Sequence, residues 1–507
     1  MRTQRSIASY GSALGLSVLT VLLALFTTPV RLRWLGTDAM GLYRVLLDAL
    51  GYLTLLDWGI AAALASLFAT HLAHGNAADV RGLLRLGLLS LAKSTGLKIV
   101  VGAGLCVWLG LTLEVPPELR ADFAVACVVG VASAMFTPAN AFRSLLEGSQ
   151  RGYVVQIVLA VQTTVTTALS VWFAVLGWGV TGQVGALACG VGVGQALVVA
   201  TSLRRFPGAL ERPVAATGAD EGHRAALRRL NGPAFVVELT GTIAILSDNI
   251  IVALFVSPAL VTAFFLTQRL ASVAQAQLQA LGSASWAGLA EVYETGDLEL
   301  FNQRALELTR LVAIASCALL IPTAVFNRGF MTLWVGAALY GGTAVTVAAA
   351  LVAFCQAVIS LWGFLFYAAG LLPQIQRISV ATVAVNLIAS VTLARTFGMV
   401  GPLLGTLLGF GTVSFWALPR LMRQTFGLSP ASLASALARP IILGVLVTIG
   451  AVWMNRLQLS QSWVGWLLSM GVTSSGYLAL AWGVVLSHQE RQAWRQRVAT
   501  ALPWGAR

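Results

Sequence analysis

The amino-acid sequence predicts an all-α polytopic membrane protein with fourteen transmembrane helices. The predicted arrangement is two six-helix lobes in a parallel pseudo-twofold repeat, followed by two C-terminal helices. Three observations lead to this prediction. The composition is one that only lipid can solvate, fourteen apolar runs are long enough to cross a bilayer, and glycines recur at a single sequence shift.

The composition places most of the chain in a membrane. Apolar residue types make up 58% of the 507 residues and charged types only 10%, against roughly 25% charged residues in soluble proteins. So few charges cannot cover a soluble surface, which excludes a soluble enzyme, a nucleic-acid-binding protein and a secreted disulfide scaffold. Continuous rather than alternating apolar runs exclude an outer-membrane barrel. We expect no cofactor and no metal.

Fourteen apolar runs can each supply a spanning helix of about 20 residues. The first run follows a short basic start and lacks a cleavage site, so we expect it to be retained as a span rather than removed as a signal peptide. The intervening loops leave no room for a large folded domain. The predicted spans are 10–30, 43–68, 92–113, 121–143, 153–176, 180–201, 233–256, 260–284, 308–326, 342–369, 376–397, 400–420, 438–455 and 463–486.

The net charge of +13 predicts orientation rather than nucleic-acid binding. Most basic residues fall on the two tails and on the loops after even-numbered spans, so the positive-inside rule places both termini in the cytoplasm. The longest polar stretch, 202–232, separates spans 6 and 7. The predicted organisation is an N-terminal lobe at 1–204, a cytoplasmic linker at 205–232, a C-terminal lobe at 233–424, spans 13 and 14 at 425–487, and a basic cytoplasmic tail at 488–507.

Glycines indicate an internal repeat. The repeated pairs are Gly75 with Gly296, Gly148 with Gly370, Gly179 with Gly398, Gly182 with Gly401, and Gly190 with Gly409, at shifts of 219 to 222 residues. The shift covers six spans, an even number, so the two halves share one orientation and form a parallel repeat. Two similar lobes with a cleft between them are the geometry of alternating access. We also expect Gly59 and Gly182 to serve helix packing.

Charged side chains inside spans mark a pathway or an ion pair. They are Asp48 and Asp57 in span 2, Lys98 in span 3, Glu238 and Asp248 in span 7, and Arg269 in span 8. The four carboxylates are the candidates for coupling transport to protons or to sodium ions. Asp248 and Arg269 lie at similar predicted depths in neighbouring spans, which predicts an ion pair, either permanent or switched by the substrate.

Span 8 carries a polar stripe. Gln268, Ser272, Gln275 and Gln279 follow one another at gaps of four, three and four residues, which places them on one helical face. Arg269 lies beside them. Such a face contacts either a water-filled cavity or a neighbouring helix, and both alternatives stay open. The sequence contains neither H-E-x-x-H nor a P-loop, so we expect a protein that is not an enzyme.

Several motifs resemble those of one transporter family. The segment 32–64 resembles a span-1 end followed by L-G-x-x-x-x-G-x-Y and then by a span with L-x-D-x-G. The segment beginning Asp248-Asn249 resembles the family's D-x-x-I-[IL] motif, Gly296-Asp297 its post-span-8 G-D, and 326–342 its outer loop. The chain thus resembles the polysaccharide-transporter branch, the Wzx-type flippases, of the multidrug/oligosaccharidyl-lipid/polysaccharide (MOP) exporter superfamily.

This resemblance implies translocation of an undecaprenyl-pyrophosphate-linked oligosaccharide across the bacterial inner membrane, for surface polysaccharide biosynthesis. It also implies a central cavity lined by spans 1, 2, 7 and 8. The pyrophosphate head requires a wet cationic cavity, and arginine matches phosphate geometry. The candidate substrate-binding residues are Arg269, Arg31, Arg33, Gln268, Gln275, Gln279 and Lys98, and the candidate ion-coupling residues are Asp57, Asp248, Asp48 and Glu238.

The expected partners are the lipid-linked glycan, the bilayer and the polysaccharide polymerase machinery, with no nucleic acid, and the expected oligomeric state is a monomer. Two other functions remain open. A multidrug or cation antiporter of the related efflux branch would use the acidic residues to hold cationic substrates. A membrane glycan polymerase or ligase would need a long outer loop with catalytic residues.

Overall fold

The structure, a computed structural model, describes residues 2–73, 77–208, 235, 239–243, 246–486, 488 and 490–492. These residues form helices joined by short links, with no strand among them. The protein is therefore an all-α polytopic membrane protein, as the apolar runs predicted.

The helices are numbered in chain order, and α8 is described at 239–243 and 246–255. Their bounds are α1 Arg2–Gly51, α2 Ile60–Ala73, α3 Ala77–Thr112, α4 Arg120–Ala132, α5 Asn140–Gly148, α6 Gly152–Val175, α7 Gly179–Arg205, α8 Leu239–Phe255, α9 Pro258–Thr267, α10 Arg269–Glu294, α11 Leu298–Trp334, α12 Thr343–Ala368, α13 Leu372–Phe397, α14 Gly401–Gly409, α15 Phe415–Phe426, α16 Pro430–Asn455 and α17 Trp463–Val484.

The predicted spans coincide with these helices wherever the residues are described. Ten helical segments of the described chain are long and apolar enough to cross a membrane. One of them, Leu372–Phe426, holds the two predicted spans 376–397 and 400–420, because a 3₁₀ turn at Gly398–Val400 joins α13 to α14 without a break in helical structure. Predicted span 4 is divided between α4 and α5 by a 3₁₀ helix at Ser133–Ala139. Predicted spans 2 and 8, which carry most of the charged candidates, are also each divided between two helices. These two interruptions position the candidate site.

The chain divides into two compact units, Met1–Thr262 and Ala263–Arg507. In the first unit, the packed core includes Leu64, Phe68 and Leu145. In the second unit, an aromatic cluster around Trp362 and Phe366 packs α11, α12 and α15 together. Large apolar side chains also lie on the outside of both units, as expected where the surface meets lipid.

Glycines in α7 and α14 allow close helix contact. A Cβ atom at Gly182 would lie 2.9 Å from the Cβ of Phe173, and one at Gly401 would clash with the backbone nitrogen of Ala394. Packing at Gly182 is therefore confirmed. The prediction that Gly59 serves helix packing is wrong, because no atom of the described residues lies within 4 Å of a Cβ atom built there. Its φ of +68° instead requires glycine for the backbone turn.

Candidate functional site

A break in predicted span 2 positions the first group of charged residues. Helix α1 ends at Gly51, and a 3₁₀ helix runs over Tyr52–Asp57. Trp58 and Gly59 then take left-handed backbone angles, with φ of 52° and 68°, before α2 begins. Interrupted spanning helices typically form the binding and coupling sites of transporters, because their free backbone and side chains line polar interior. Asp57 lies directly at this break.

Asp57 and Lys98 form a largely buried ion pair in the first unit. The Lys98 Nζ atom lies 2.7 Å from Asp57 Oδ2, and the two side chains are 6% and 18% exposed. Ser94 donates a 2.7 Å hydrogen bond to the other carboxylate oxygen. Lys98 Nζ also donates to Thr137 Oγ1 at 3.2 Å. Lys98, predicted to bind substrate, therefore has Asp57 as its direct partner, and the pair fixes the broken span against α3.

The second charged group lies between α1 and α8 within the same unit. Asp48 is 2% exposed. Its Oδ1 atom accepts the Arg44 guanidinium at 2.9 Å, and its Oδ2 atom accepts the Asn249 side-chain amide at 2.6 Å. Asp248, the next residue along α8, has a buried Oδ1 atom with no hydrogen-bond partner among the described residues.

Arg31 places a guanidinium inside the first unit. Its Nη1 atom lies 3.5 Å from Ser170 Oγ and its Nη2 atom 3.4 Å from Thr28 Oγ1. Its Nε atom is buried and has no hydrogen-bond partner in the described chain. Both observed contacts are long and neutral, so this cation retains donors for an anionic acceptor. Arg33, two residues on, is exposed.

In the second unit, the polar stripe of span 8 lies opposite a buried face. Helix α9 ends at Thr267 and α10 begins at Arg269, with Gln268 at the interruption. Ala271, Ala274 and Leu278 are buried, whereas Gln275 and Gln279 are half-buried and Ser272 is exposed. The stripe therefore remains partly accessible from outside the packed unit. Arg269 is half-buried at the first turn of α10.

The structure thus joins some predicted residues and leaves others apart. Lys98 pairs with Asp57, and Asp48 lies with Asn249, all inside the first unit. Glu238 lies outside the described residues. Asp248 and Arg269 belong to different units, so their ion pair stays a prediction.

Three neutral partners were missed by sequence reasoning. Ser94 could have been found, because it precedes Lys98 by four residues and shares its helical face. Asn249 adjoins Asp248 in a motif already noted. Thr137 gave no signal, since only the tertiary fold brings it to Lys98.

Comparison with known proteins places this fold among membrane transporters. No protein-family model and no curated protein matches the chain. Among solved structures, the lipid II flippase MurJ in an inward closed conformation aligns over 94% of this chain and 98% of its own, with a TM-score of 0.67 and 10% identity. An inward-facing MATE-family multidrug resistance transporter of the MOP superfamily covers 82% and 98%, with a TM-score of 0.65 and 13% identity.

A third solved structure, a MOP-superfamily transporter from Pyrococcus furiosus with a binding pocket of reversed polarity, covers 86% of this chain and 95% of its own. Its TM-score is 0.54 at 12% identity. The chain therefore has the fold shared by MOP-superfamily transporters. The solved structures that it resembles are described as flippases and transporters rather than as enzymes.

Proposed function

We propose that this protein is a flippase that moves an undecaprenyl-pyrophosphate-linked oligosaccharide across the bacterial cytoplasmic membrane by alternating access. The fold supports this proposal at the level of the transporter class. One observation carries the choice of an anionic lipid-linked substrate: Arg31 is a cation inside the first unit, and its buried Nε atom has no hydrogen-bond partner among the described residues.

The chemistry of the substrate agrees with these side chains. A pyrophosphate offers several anionic oxygens to a guanidinium, and charge-assisted bonds of this kind are about twice as strong as neutral ones. The glycan offers hydroxyl groups to amide side chains such as Gln275 and Gln279, which are partly accessible on α10. The lipid tail can stay in the bilayer. Arg269 and Arg33 are further proposed cationic residues that bind the pyrophosphate together with Arg31. Lys98 is proposed to contribute through its ion pair with Asp57.

The proposed setting follows from the sequence. Both termini lie in the cytoplasm, the protein works as a monomer, and its product reaches the polysaccharide polymerase machinery. The two lobes, at 1–204 and 233–424, move relative to the site, and Asp57, Asp48, Asp248 and Glu238 couple that movement to an ion gradient. A membrane potential of about 100 mV provides roughly 2.3 kcal/mol for each charge moved.

A specific observation also favours a second function. Asp48 accepts a hydrogen bond from Asn249, the residue after Asp248, and Asp248 has a buried oxygen without a hydrogen-bond partner in the described part of the chain. Paired carboxylates in an apolar interior attract cations. This arrangement suits an antiporter for organic cations, as in the multidrug branch of the superfamily. The two functions differ in the sign of charge on the substrate.

Reconstituted transport distinguishes them. Purified protein in liposomes is given a fluorescent undecaprenyl-pyrophosphate-linked oligosaccharide in one assay and a lipophilic cationic dye in another. We expect flipping of the glycan lipid and no dye transport. Arg31→Ala should slow flipping at least tenfold, because a charge-assisted bond is worth about 1.5–3 kcal/mol, and Arg31→Lys should recover it in part.

Arg456→Ala provides the matched control, since Arg456 is an exposed arginine at the end of α16. It should flip the glycan lipid at the wild-type rate. Dye transport without glycan flipping would replace the flippase by the antiporter. Equal rates for Arg31→Ala and Arg456→Ala would remove Arg31 from the substrate site.

A further inference from the structure

A groove lies between α3 and α4 on the surface of the first unit. Its volume is about 740 Å³, and its walls extend along α3 from Ile99 to Leu111 and along the following segment from Arg120 to Met135. Nearly all of the lining side chains are apolar, and most of them are exposed, so the groove opens toward the lipid that surrounds a membrane protein. Apart from Lys98, which adjoins Ile99 in sequence but pairs with Asp57, the candidate site residues lie on other segments.

The length of the groove matches the depth of one membrane leaflet. Leu111 follows Ile99 by twelve positions in a continuous helix, which corresponds to about 18 Å along the helix axis. The hydrocarbon core of a bilayer is about 30 Å thick, so one leaflet contributes about 15 Å. The groove can therefore hold one acyl chain that runs from the end of a spanning helix to the middle of the bilayer.

Gly110 keeps the α3 wall of the groove open. A Cβ atom there would have no atom of the described residues within 4 Å, so helix packing does not require glycine at this position. Gly102 of the same helix differs, because its Cβ would lie 3.1 Å from Val131 Cγ2. Glycine weakens a helix interior. Its presence at position 110 therefore agrees with a role in leaving space for an occupant of the groove.

Arg120 places a positive charge at the end of the groove. It is the one charged residue among the described side chains that line the groove, and it is exposed. Its Nε atom donates a 3.2 Å hydrogen bond to Val115 O, which also belongs to the lining. No carboxylate of the described chain forms a salt bridge with Arg120. Its terminal nitrogens are therefore available to a phosphate, whose geometry a guanidinium matches.

Carboxylates lie in the same link, residues 113–119, that leads from α3 to α4. Glu114 and Glu118 are exposed, and neither forms a salt bridge within the described part of the chain. Asp122 is already occupied, because its oxygens accept the backbone N–H groups of Val180 and Thr181 at 2.6 and 2.9 Å. A net-anionic headgroup would meet an excess of negative charge here. A headgroup with a phosphate and an ammonium group complements both signs.

We propose that the groove between α3 and α4 binds one zwitterionic phospholipid whose headgroup carries a primary amine. Its phosphate pairs with Arg120, its ammonium group donates to the carboxylates of the link, and one acyl chain fills the groove beside Gly110. A primary ammonium group has N–H donors for carboxylates, whereas a quaternary one has none. This lipid site is distinct from the proposed substrate and coupling residues and does not rest on the proposed function.

Native mass spectrometry of the purified full-length protein tests the headgroup. The protein in detergent is incubated with equal amounts of phosphatidylethanolamine, phosphatidylcholine and phosphatidylglycerol that carry the same acyl chains. We expect one phosphatidylethanolamine to be retained in preference to the other two lipids. Arg120→Ala should weaken this binding at least tenfold, because it removes a charge-assisted bond. Arg456→Ala, which changes an exposed arginine at the end of α16, should leave it unchanged.

Two glycine variants of α3 test the groove. Gly110→Leu fills the groove and should abolish retention of the lipid. Gly104→Leu is the matched control, since Gly104 is exposed on the same helix, has no atom within 4 Å of its Cβ position and does not line the groove. It should keep the lipid. Equal melting temperatures of the two lipid-free variants would show that the loss comes from the filled groove.

Three results would overturn the proposal. The first is equal retention of all three lipids by the wild type, which would make the groove a site for bulk lipid. The second is preferential retention of phosphatidylglycerol, which would contradict the amine-bearing headgroup. The third is equal retention by Gly110→Leu and Gly104→Leu, which would place the bound lipid elsewhere. The expected result is a preference for phosphatidylethanolamine that both Arg120→Ala and Gly110→Leu remove.

Discussion

The interiors of the two units differ in charge. In the first unit, Asp48 and Lys98 are both buried, and both form ion pairs. In the second unit, the buried polar side chains that the structure describes are all neutral. Asn327 there donates to Thr267 O at 2.8 Å and to Thr346 Oγ1 at 3.0 Å. Neutral networks of this kind hold helices together. Buried charges cost more, so we propose that the first unit carries the chemistry that switches the transporter.

One serine in each unit, at corresponding positions of the predicted repeat, shows the same difference in charge between the two interiors. Ser170 in α6 and Ser390 in α13 are 220 residues apart and both buried. Ser390 Oγ lies within hydrogen-bond distance of two acceptors, Asn386 Oδ1 of its own helix at 2.8 Å and Pro402 O of α14 at 3.0 Å, and both are neutral. Ser170 hydrogen-bonds Gln183 of α7 and also lies 3.5 Å from Arg31. The shared position supports the predicted repeat, and the added arginine contact is specific to the first unit.

The largest expected effect comes from breaking the first unit's ion pair. Lys98→Met should lower the free energy of unfolding by about 3–5 kcal/mol, because it leaves Asp57 buried without its cation. The double variant Lys98→Met with Asp57→Asn should regain most of this loss. Melting temperatures in detergent measure both. If the double variant is no more stable than the single one, the ion pair is not the reason for the loss.

A smaller effect distinguishes the two glycine contacts. Gly401→Ala should cost more stability than Gly182→Ala. At Gly401 the new methyl group clashes with the backbone of α13, whereas at Gly182 its nearest atoms are the Cβ atoms of Trp178 and Phe173, at 2.7 and 2.9 Å. Overpacking costs typically 1–3 kcal/mol. Gly185→Ala is the control, since no atom lies within 4 Å of its Cβ position. The order of the melting temperatures checks the prediction, and a reversed order would contradict it.

The smallest stability effect should come from the two serines. Ser170→Ala and Ser390→Ala should each cost about 0.5–1.5 kcal/mol, the net value of a hydrogen bond. Their transport rates should differ, however. Ser170→Ala should slow glycan flipping because it releases Arg31, while Ser390→Ala should not. Initial rates at equal amounts of reconstituted protein measure this difference, and equal rates would mean that Ser170 does not position Arg31.

Much of the fold could be predicted from the sequence, because lipid imposes long apolar runs. The close helix contact at Gly182 was also predicted, because a small residue lets helices approach one another. The break after Asp57 was not, because Trp58 and Gly59 take left-handed angles inside a run that continues as a mostly apolar sequence on both sides. The length of an apolar run predicts that a segment can span the membrane, but it does not predict where the backbone of that segment departs from helical geometry.

The candidate site was only partly predictable for a similar reason. The charges themselves stand out in an apolar sequence, so Asp57 and Lys98 were both found. Their pairing was not, because it depends on α3 packing against the 3₁₀ helix 41 residues earlier in the chain. Asn249 was missed because an uncharged amide does not stand out in an apolar sequence as a charged residue does. Its role becomes visible only in the structure, where it donates to Asp48.

One measurement tests most directly whether the charged interior of the first unit drives transport. It is the initial rate at which the protein flips the undecaprenyl-pyrophosphate-linked oligosaccharide in liposomes. Two double variants, each with only uncharged replacement residues, are compared with the wild type at equal amounts of folded protein. Asp57→Asn with Lys98→Met removes a charged pair of the first unit, and Ser390→Ala with Thr406→Val removes neutral hydrogen bonds of the second. We predict at least a tenfold loss for the first and less than a twofold change for the second. Equal rates for the two, or a greater loss for the second, would contradict the account.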